Sequence, residues 1–150
     1  MNLVRRLILP TVAFILVGVA LERAALACSC VVMPTGEYLR GADVVYTGRV
    51  VDIRVDPRRF AWPEIEFRVD RSFKGRIEGE RMVLVTPHRK GANCRGSDFA
   101  VGQSYIVFAT ARDSETGAPG TYGVNSCGGT ASVASAEGKR RLREVQRLVN

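Results

Sequence analysis

The four cysteines are the residues of this chain best suited to chemistry, and they are Cys28, Cys30, Cys94 and Cys127. An even number of cysteines in a small chain outside the cytosol predicts two disulfides. A bond between Cys28 and Cys30 would be strained, so each is expected to pair with a distant cysteine. A zinc site built from all four is disfavoured, because the sequence lacks the paired C-x2-C spacing of such sites.

Residues 1–27 have the pattern of an export signal. Arg5 and Arg6 precede an apolar run over residues 7–21, and the small-x-small triplet Ala25-Leu26-Ala27 marks a cleavage site. The run is shorter than the ~20 residues needed to span a bilayer. Cleavage would make Cys28 the first residue of an extracellular or periplasmic protein. A lipid on Cys28 is the alternative, and membrane attachment is expected only in that case.

A free Cys28 end has a specific chemical capacity. An α-amino group has a pKa of about 7.7–8.0, so a sizeable neutral fraction exists near pH 7. The neutral amine and the Cys28 carbonyl oxygen could together chelate a metal ion in a five-membered ring. A catalytic zinc in a protease keeps one position for water, and a rigid chain end could occupy it. The simpler interpretation is that Cys28-Ser29-Cys30 only fastens the chain end to the fold.

Other polar residues do not form a catalytic pattern. His88 is the only histidine, Trp62 is expected to pack, and the aspartates show no paired-carboxylate spacing. No glycine-rich stretch resembles a phosphate loop. The sequence therefore predicts neither an enzyme nor a cofactor, and no metal site of its own.

The elements that must hold the cysteines are mostly strands. Alternating or β-branched stretches predict strands over residues 44–55, 61–73, 81–86, 103–110 and 121–126, with Gly48 marking a bulge or a sharp bend. Leu142, Val145, Leu148 and Val149 recur at helical spacing, which predicts a C-terminal helix over about 133–149. Residues 28–150 are thus expected to form one mainly β domain, a five-stranded OB-type barrel with two disulfides and a C-terminal helix.

The charge is basic but does not indicate nucleic-acid binding. Removing residues 1–27 takes away three arginines and one glutamate, which lowers the net charge from +7 to +5. The positive charge concentrates near the C-terminus, on Lys139, Arg140, Arg141, Arg143 and Arg147, and not among exposed aromatic residues. A solvated basic helix face is the predicted explanation.

Several motifs, in order and spacing, resemble the tissue inhibitors of metalloproteinases and the related netrin-like OB domains. The matching residues span most of 28–130 and are Cys28-Ser29-Cys30, Ala42-Asp43-Val44-Val45, Phe67-Arg68-Val69, Phe73-Lys74-Gly75, Val85-Thr86, Phe99, Gly102, Tyr105-Ile106-Val107 and Asn125-Ser126-Cys127. The resemblance implies disulfides Cys28–Cys94 and Cys30–Cys127. It also implies that the Cys28 amine and carbonyl bind a protease zinc, with Ser29 pointing into the adjacent pocket.

The chain departs from that family in two places. No cysteine lies near Arg40, where a third disulfide would begin, and a basic helix stands where the cysteine-rich second domain would follow. The chain therefore looks most like short single-domain bacterial relatives. The leading hypothesis is a monomeric, secreted inhibitor whose partner is a zinc metalloprotease. The alternative is a non-inhibitory exported OB-fold binding or envelope module that uses the barrel face or the basic C-terminal helix.

Overall fold

The computed structural model of the chain describes residues 30–54, 63–77, 79–85, 97–111 and 121–150. These residues form two helices and six strands. In chain order they are α1 (Thr35–Gly41), β1 (Val44–Arg54), β2 (Glu64–Lys74), β3 (Arg81–Val85), β4 (Ser104–Ala111), β5 (Tyr122–Gly123), β6 (Ala131–Ser132) and α2 (Ala136–Val149). No helix within these residues is long and apolar enough to cross a membrane.

Five of the strands, β1 to β5, curl into a barrel in which β1 pairs with two neighbours. β1 pairs antiparallel with both β2 and β4, β2 pairs with β3, and β4 pairs with β5. The ring closes through a parallel pairing between β3 and β5 that is only one residue pair long, Leu84 with Tyr122. The predicted mainly β, five-stranded fold with a C-terminal helix is confirmed. The fifth strand is shorter than predicted, and the short strand β6, which pairs with β4, was not predicted.

An irregularity lies where Gly48 predicted one, but the extra residue is Asp70 on β2 and not a residue of β1. The register between β1 and β2 shifts between Thr47 and Gly48. A Cβ atom at Gly48 would lie 2.8 Å from the carbonyl oxygen of Arg68 on β2, which is closer than real side chains approach backbone. Glycine is therefore required at this position of β1, where the backbone of β2 approaches closely at the register shift.

The barrel interior is packed with aromatic and branched side chains. Phe67 lies at its centre, with its ring edge-on to Tyr46 at 5.7 Å and to Phe99 at 5.3 Å between centroids. Such edge-to-face contacts add to the free energy gained by burying the rings. The Tyr46 hydroxyl has no hydrogen-bond partner within the described part of the chain, and burial raises the pKa of Tyr46 well above its ordinary value.

A second core lies between the barrel and the two helices. Tyr38 from α1 and Val145 from α2 pack there against Val45, Ile106 and Phe108 of the sheet. The adjacent residues Val44 and Val107 lie in the barrel core instead, so β1 and β4 each bury both faces over part of their length.

The C-terminal helix begins later than predicted and buries less of its apolar stripe. Ser135 caps it by accepting a hydrogen bond from the Gly138 amide, and a Cβ at Gly138 would collide with the Ser132 carbonyl. Val145 is fully buried, but Leu148 and Val149 are 57% and 40% exposed. The last turn of α2 therefore extends beyond the core that the first three turns cover.

Candidate functional site

The residues predicted to carry the chemistry are only partly within the described structure. Cys28, Ser29 and Cys94 lie outside the described residues, as do the Cys28–Cys94 pairing, residues 1–27, Trp62 and His88. The described part of the candidate site begins at Cys30, two residues after the predicted mature end. It consists of the chain that leaves Cys30 and of the elements that hold this chain.

Cys30 forms a disulfide with Cys127, which is distant from it in sequence. The two Cα atoms are 5.3 Å apart and the residues are 97 positions apart in sequence. This is the partner that the family resemblance implies for Cys30. The loop carrying Cys127 is itself ordered by Asn125, whose side-chain oxygen accepts from the Cys127 amide at 2.9 Å and whose carbonyl accepts from the Gly128 amide at 3.1 Å.

The segment that follows Cys30 is apolar and exposed. Val31 is 82% exposed, Val32 is 73% exposed and Met33 is 40% exposed. We refer to these three residues as the apolar segment. Three consecutive exposed apolar side chains are unusual on a monomeric surface and are typical of a contact site.

The apolar segment is fixed at its second end as well. The Met33 amide donates a hydrogen bond of 3.1 Å to the Tyr38 hydroxyl, and the Pro34 carbonyl accepts from the Glu37 amide at 2.9 Å, which starts α1. The disulfide and these hydrogen bonds hold the backbone on both sides of Val31 and Val32. The two valines are thus presented from a backbone that has few conformations to lose on binding.

Tyr38 connects this segment to the core. Its ring packs against Phe108 at 6.0 Å between centroids, and the guanidinium of Arg141 lies 4.7 Å from the ring centre. Gly129 has a φ of +89°, and a Cβ there would lie 2.6 Å from the Tyr38 ring. The helix α1, the loop after β5 and the helix α2 therefore meet at one side chain. Nothing in the spacing of the sequence indicated this role for Tyr38.

A cavity of about 270 Å³ opens beside the apolar segment. Its apolar lining includes Met33, Tyr38, Phe108 and Val124, and Cys127 also lines it. Thr110, near the end of β4, lies in the same wall. The cavity gives the surface next to the disulfide a concave part that an apolar side chain of a partner could occupy.

The basic face predicted for the C-terminal helix is smaller than expected. Arg141 is only 8% exposed, and its guanidinium donates to the Gly129 carbonyl and pairs with Glu137 at 2.7 Å. Arg140 pairs with Glu137 at 2.7 Å and with Glu144 at 3.1 Å. The prediction that these arginines form a solvated basic face is therefore wrong for Arg141, and the charge of Arg140 is neutralised in place.

A hydrogen bond from Thr35 to Glu144 joins the two helices near the apolar segment. The buried hydroxyl of Thr35 donates to the Glu144 carboxylate, and this hydrogen bond, followed by the charge of Arg140, lowers the pKa of Glu144. A hydrogen bond from Arg140 is the main cause of the lowered pKa of Glu137. Both carboxylates are therefore held in their charged form, and α1 is tied to α2 by a charge-assisted hydrogen bond.

No group of three or more histidine, cysteine, aspartate or glutamate side chains lies close enough to share a metal ion, within the residues that the structure describes. What the described residues offer is a fastened chain end, an exposed apolar segment and a neighbouring cavity. Exposed apolar side chains beside a cavity are features that protein-contact surfaces share.

Comparison with known proteins adds no relative. No family model matches the sequence, and no curated protein matches it. The resemblance to tissue inhibitors of metalloproteinases and netrin-like domains thus depends on the motifs given above and remains a prediction.

Proposed function

We propose that the chain is an exported inhibitor of zinc metalloproteases whose Cys28 end binds the catalytic zinc of its target. The observation that carries this proposal is the apolar segment, which is exposed and fastened by the Cys30–Cys127 disulfide immediately after the predicted mature end. The motif resemblance and the barrel fold support the same conclusion. Export to the periplasm or the exterior is part of the proposal and agrees with the presence of a disulfide.

The zinc-binding step needs a free amine on Cys28 itself. The neutral amine and the carbonyl oxygen of Cys28 would take the coordination positions that water and the substrate carbonyl use during hydrolysis. Without that water the protease has no nucleophile, so it cannot hydrolyse its substrate. Ser29 would then point into the substrate pocket beside the zinc, as the resemblance implies.

The apolar segment would supply contact area along the same cleft. Burying one exposed valine fully is favourable by about 1.5–3 kcal/mol, and Val31 and Val32 are both more than two-thirds exposed in the free protein. The backbone here is already held at Cys30 and Met33, so less conformational entropy is lost when the segment is bound. Zinc coordination and apolar burial would therefore act along one continuous strip of chain.

One added residue tests the zinc-binding step. An alanine placed ahead of Cys28 moves the free amine away from the carbonyl that completes the chelate, while residues 30–150 are unchanged. The mature protein is expected to inhibit members of a panel of zinc endoproteases, and the extended protein is expected to lose inhibition by at least about a hundredfold, or about 2.7 kcal/mol.

The matched control carries the same alanine after Asn150 and should inhibit like the mature protein. A serine protease run in parallel should be unaffected by all three proteins. Equal inhibition by the extended and the mature proteins would refute zinc binding by the Cys28 end.

The alternative function is a non-inhibitory exported binding module, and one observation favours its barrel-face form over its helix form. On the helix, Arg140 is neutralised and Arg141 is buried. On the sheet, Arg49 of β1 and Arg68 of β2 are exposed and have no carboxylate partner within the described residues. Under this alternative the alanine ahead of Cys28 is harmless to binding.

A further inference from the structure

Three arginines stand side by side on the outer face of the barrel. Arg49 on β1 is the direct cross-strand partner of Arg68 on β2, and Arg68 is the direct partner of Arg81 on β3. All three side chains are exposed. We call these residues the arginine row. Adjacent strands are about 4.8 Å apart, so the row spans roughly 10 Å across the sheet.

Two acidic side chains near the row, Glu66 and Asp52, already pair with arginines, and Glu66 pairs with one member of the row, Arg81. Glu66 is 9% exposed and binds Arg54 at 3.0 Å and also Arg81. Asp52 pairs with Arg54 at 3.4 Å. Asp70 is the extra residue of β2 at the register shift opposite Thr47 and Gly48, and Glu64 is the cross-strand partner of Arg54.

Within the described part of the chain, Arg49 and Arg68 have no ion pair with any of these carboxylates. Like charges directly opposite each other in a sheet are destabilising. A bound anion would turn that repulsion into attraction, because a guanidinium binds phosphate and sulfate groups with paired N–H donors.

We propose that the arginine row binds an anionic polysaccharide that carries phosphate or sulfate ester groups. Three guanidinium groups spaced by the strand separation exceed what a single small anion can contact, so a chain with repeated charges fits the row best. Arg81 contributes through the part of its guanidinium that is not engaged by Glu66, since its side chain is 73% exposed.

The surroundings of the row argue against two other classes of polyanion. Single-stranded nucleic acid needs aromatic side chains for its bases to stack on. The large aromatic side chains near this row, Phe67 and Tyr105, lie in the core. Insertion into a membrane needs exposed large apolar residues, and among the described residues of β1 and β2 only Val51, at 36%, is exposed in this way.

The row lies far from the proposed inhibitory end. Arg49 is opposite Ser104 at the start of β4, whereas Thr110, near the end of the same strand, lines the cavity beside Cys127. Six residues of strand separate these positions by about 20 Å. The two surfaces can therefore be occupied together, and the inference does not depend on the proposed inhibition.

The test uses the mature protein and an immobilised dextran sulfate as the probe. The variant R49Q/R68Q removes the two unpaired guanidinium groups, and the control K139Q/R143Q removes the same charge from exposed positions of α2. R49Q/R68Q is expected to weaken binding at least tenfold and to lower the slope of log affinity against log salt by roughly 1.5–2. The control is expected to stay within twofold of the mature protein, and inorganic phosphate alone is expected to compete only weakly.

Three outcomes would overturn the inference. Equal losses in both variants would mean that net charge, and not the row, determines binding. Phosphate competing as well as the polymer would mean that one arginine site suffices. Tighter binding to vesicles with anionic lipid, or to single-stranded DNA, than to dextran sulfate would assign the row to another ligand class. Protease inhibition should be the same for both variants, so this result is separate from the alanine-extension test.

Discussion

Removing the Cys30–Cys127 disulfide is expected to lower the free energy of unfolding by about 4 kcal/mol. The bond closes a loop between residues 97 positions apart. In the chain-entropy treatment such a loop restricts the unfolded chain by about 4.7 kcal/mol at 25 °C. If Cys28–Cys94 also forms, the connecting path through that second bond is only roughly 35 residues long, and the same treatment gives about 3.8 kcal/mol.

The assay is urea unfolding of the mature protein and of C30A/C127A, with neither oxidant nor reductant added to the buffer. The midpoint should fall and the dependence of the free energy on urea should steepen, because the unfolded variant is less compact and exposes more surface. A domain of this size has a total stability of about 5–15 kcal/mol, so the variant is expected to be only marginally folded. A loss below about 1 kcal/mol would refute the reasoning that this bond fastens the chain end.

Two further predictions concern the C-terminal helix. R141A is expected to lower the free energy of unfolding by about 2–3 kcal/mol, because it leaves the buried Gly129 carbonyl without its donor and removes the guanidinium from the Tyr38 ring. The control R143A, at an exposed position, should lower it by less than about 0.5 kcal/mol. Equal losses in urea unfolding would contradict the buried role of Arg141. Glu137 and Glu144 have lowered pKa values in the folded protein, so as the pH falls the unfolded chain binds protons before the folded protein does. The two carboxylates therefore stabilise the fold above their ordinary pKa of 4.5, and this stabilisation should be lost as the pH falls through their lowered pKa values. E137Q/E144Q should flatten the fall in stability over that acidic range, and an unchanged pH profile would show that these pairs do not stabilise the fold.

Strand periodicity made most of the barrel predictable. The alternation of Ile65, Phe67 and Val69 with charged residues indicated the inward face of β2, and Gly48 marked the position where the register between β1 and β2 shifts. These features are local, because one strand carries its own pattern. β6 has only two residues, too few to show a period, and it exists because β4 has a free edge there.

The features that sequence reasoning missed all depend on pairing between distant residues. Glu66 has the alternation of an exposed residue but is buried between Arg54 and Arg81. Arg141 belongs to a basic run but turns inward onto Tyr38. The arginine row depends on the register of three strands, which spacing along one strand cannot give. For the same reason the prediction located positive charge on α2 and did not identify the arginine row on the sheet.

The measurement that tests the central claim most directly is the intact mass and N-terminal sequence of the protein exported by its own host. The account predicts a chain that starts at an unmodified Cys28 and is lighter than its reduced form by the hydrogens that two disulfides remove. A lipid on Cys28, an acylated amine or a start at another residue would contradict it, because none of these leaves a free amine beside the Cys28 carbonyl to bind zinc.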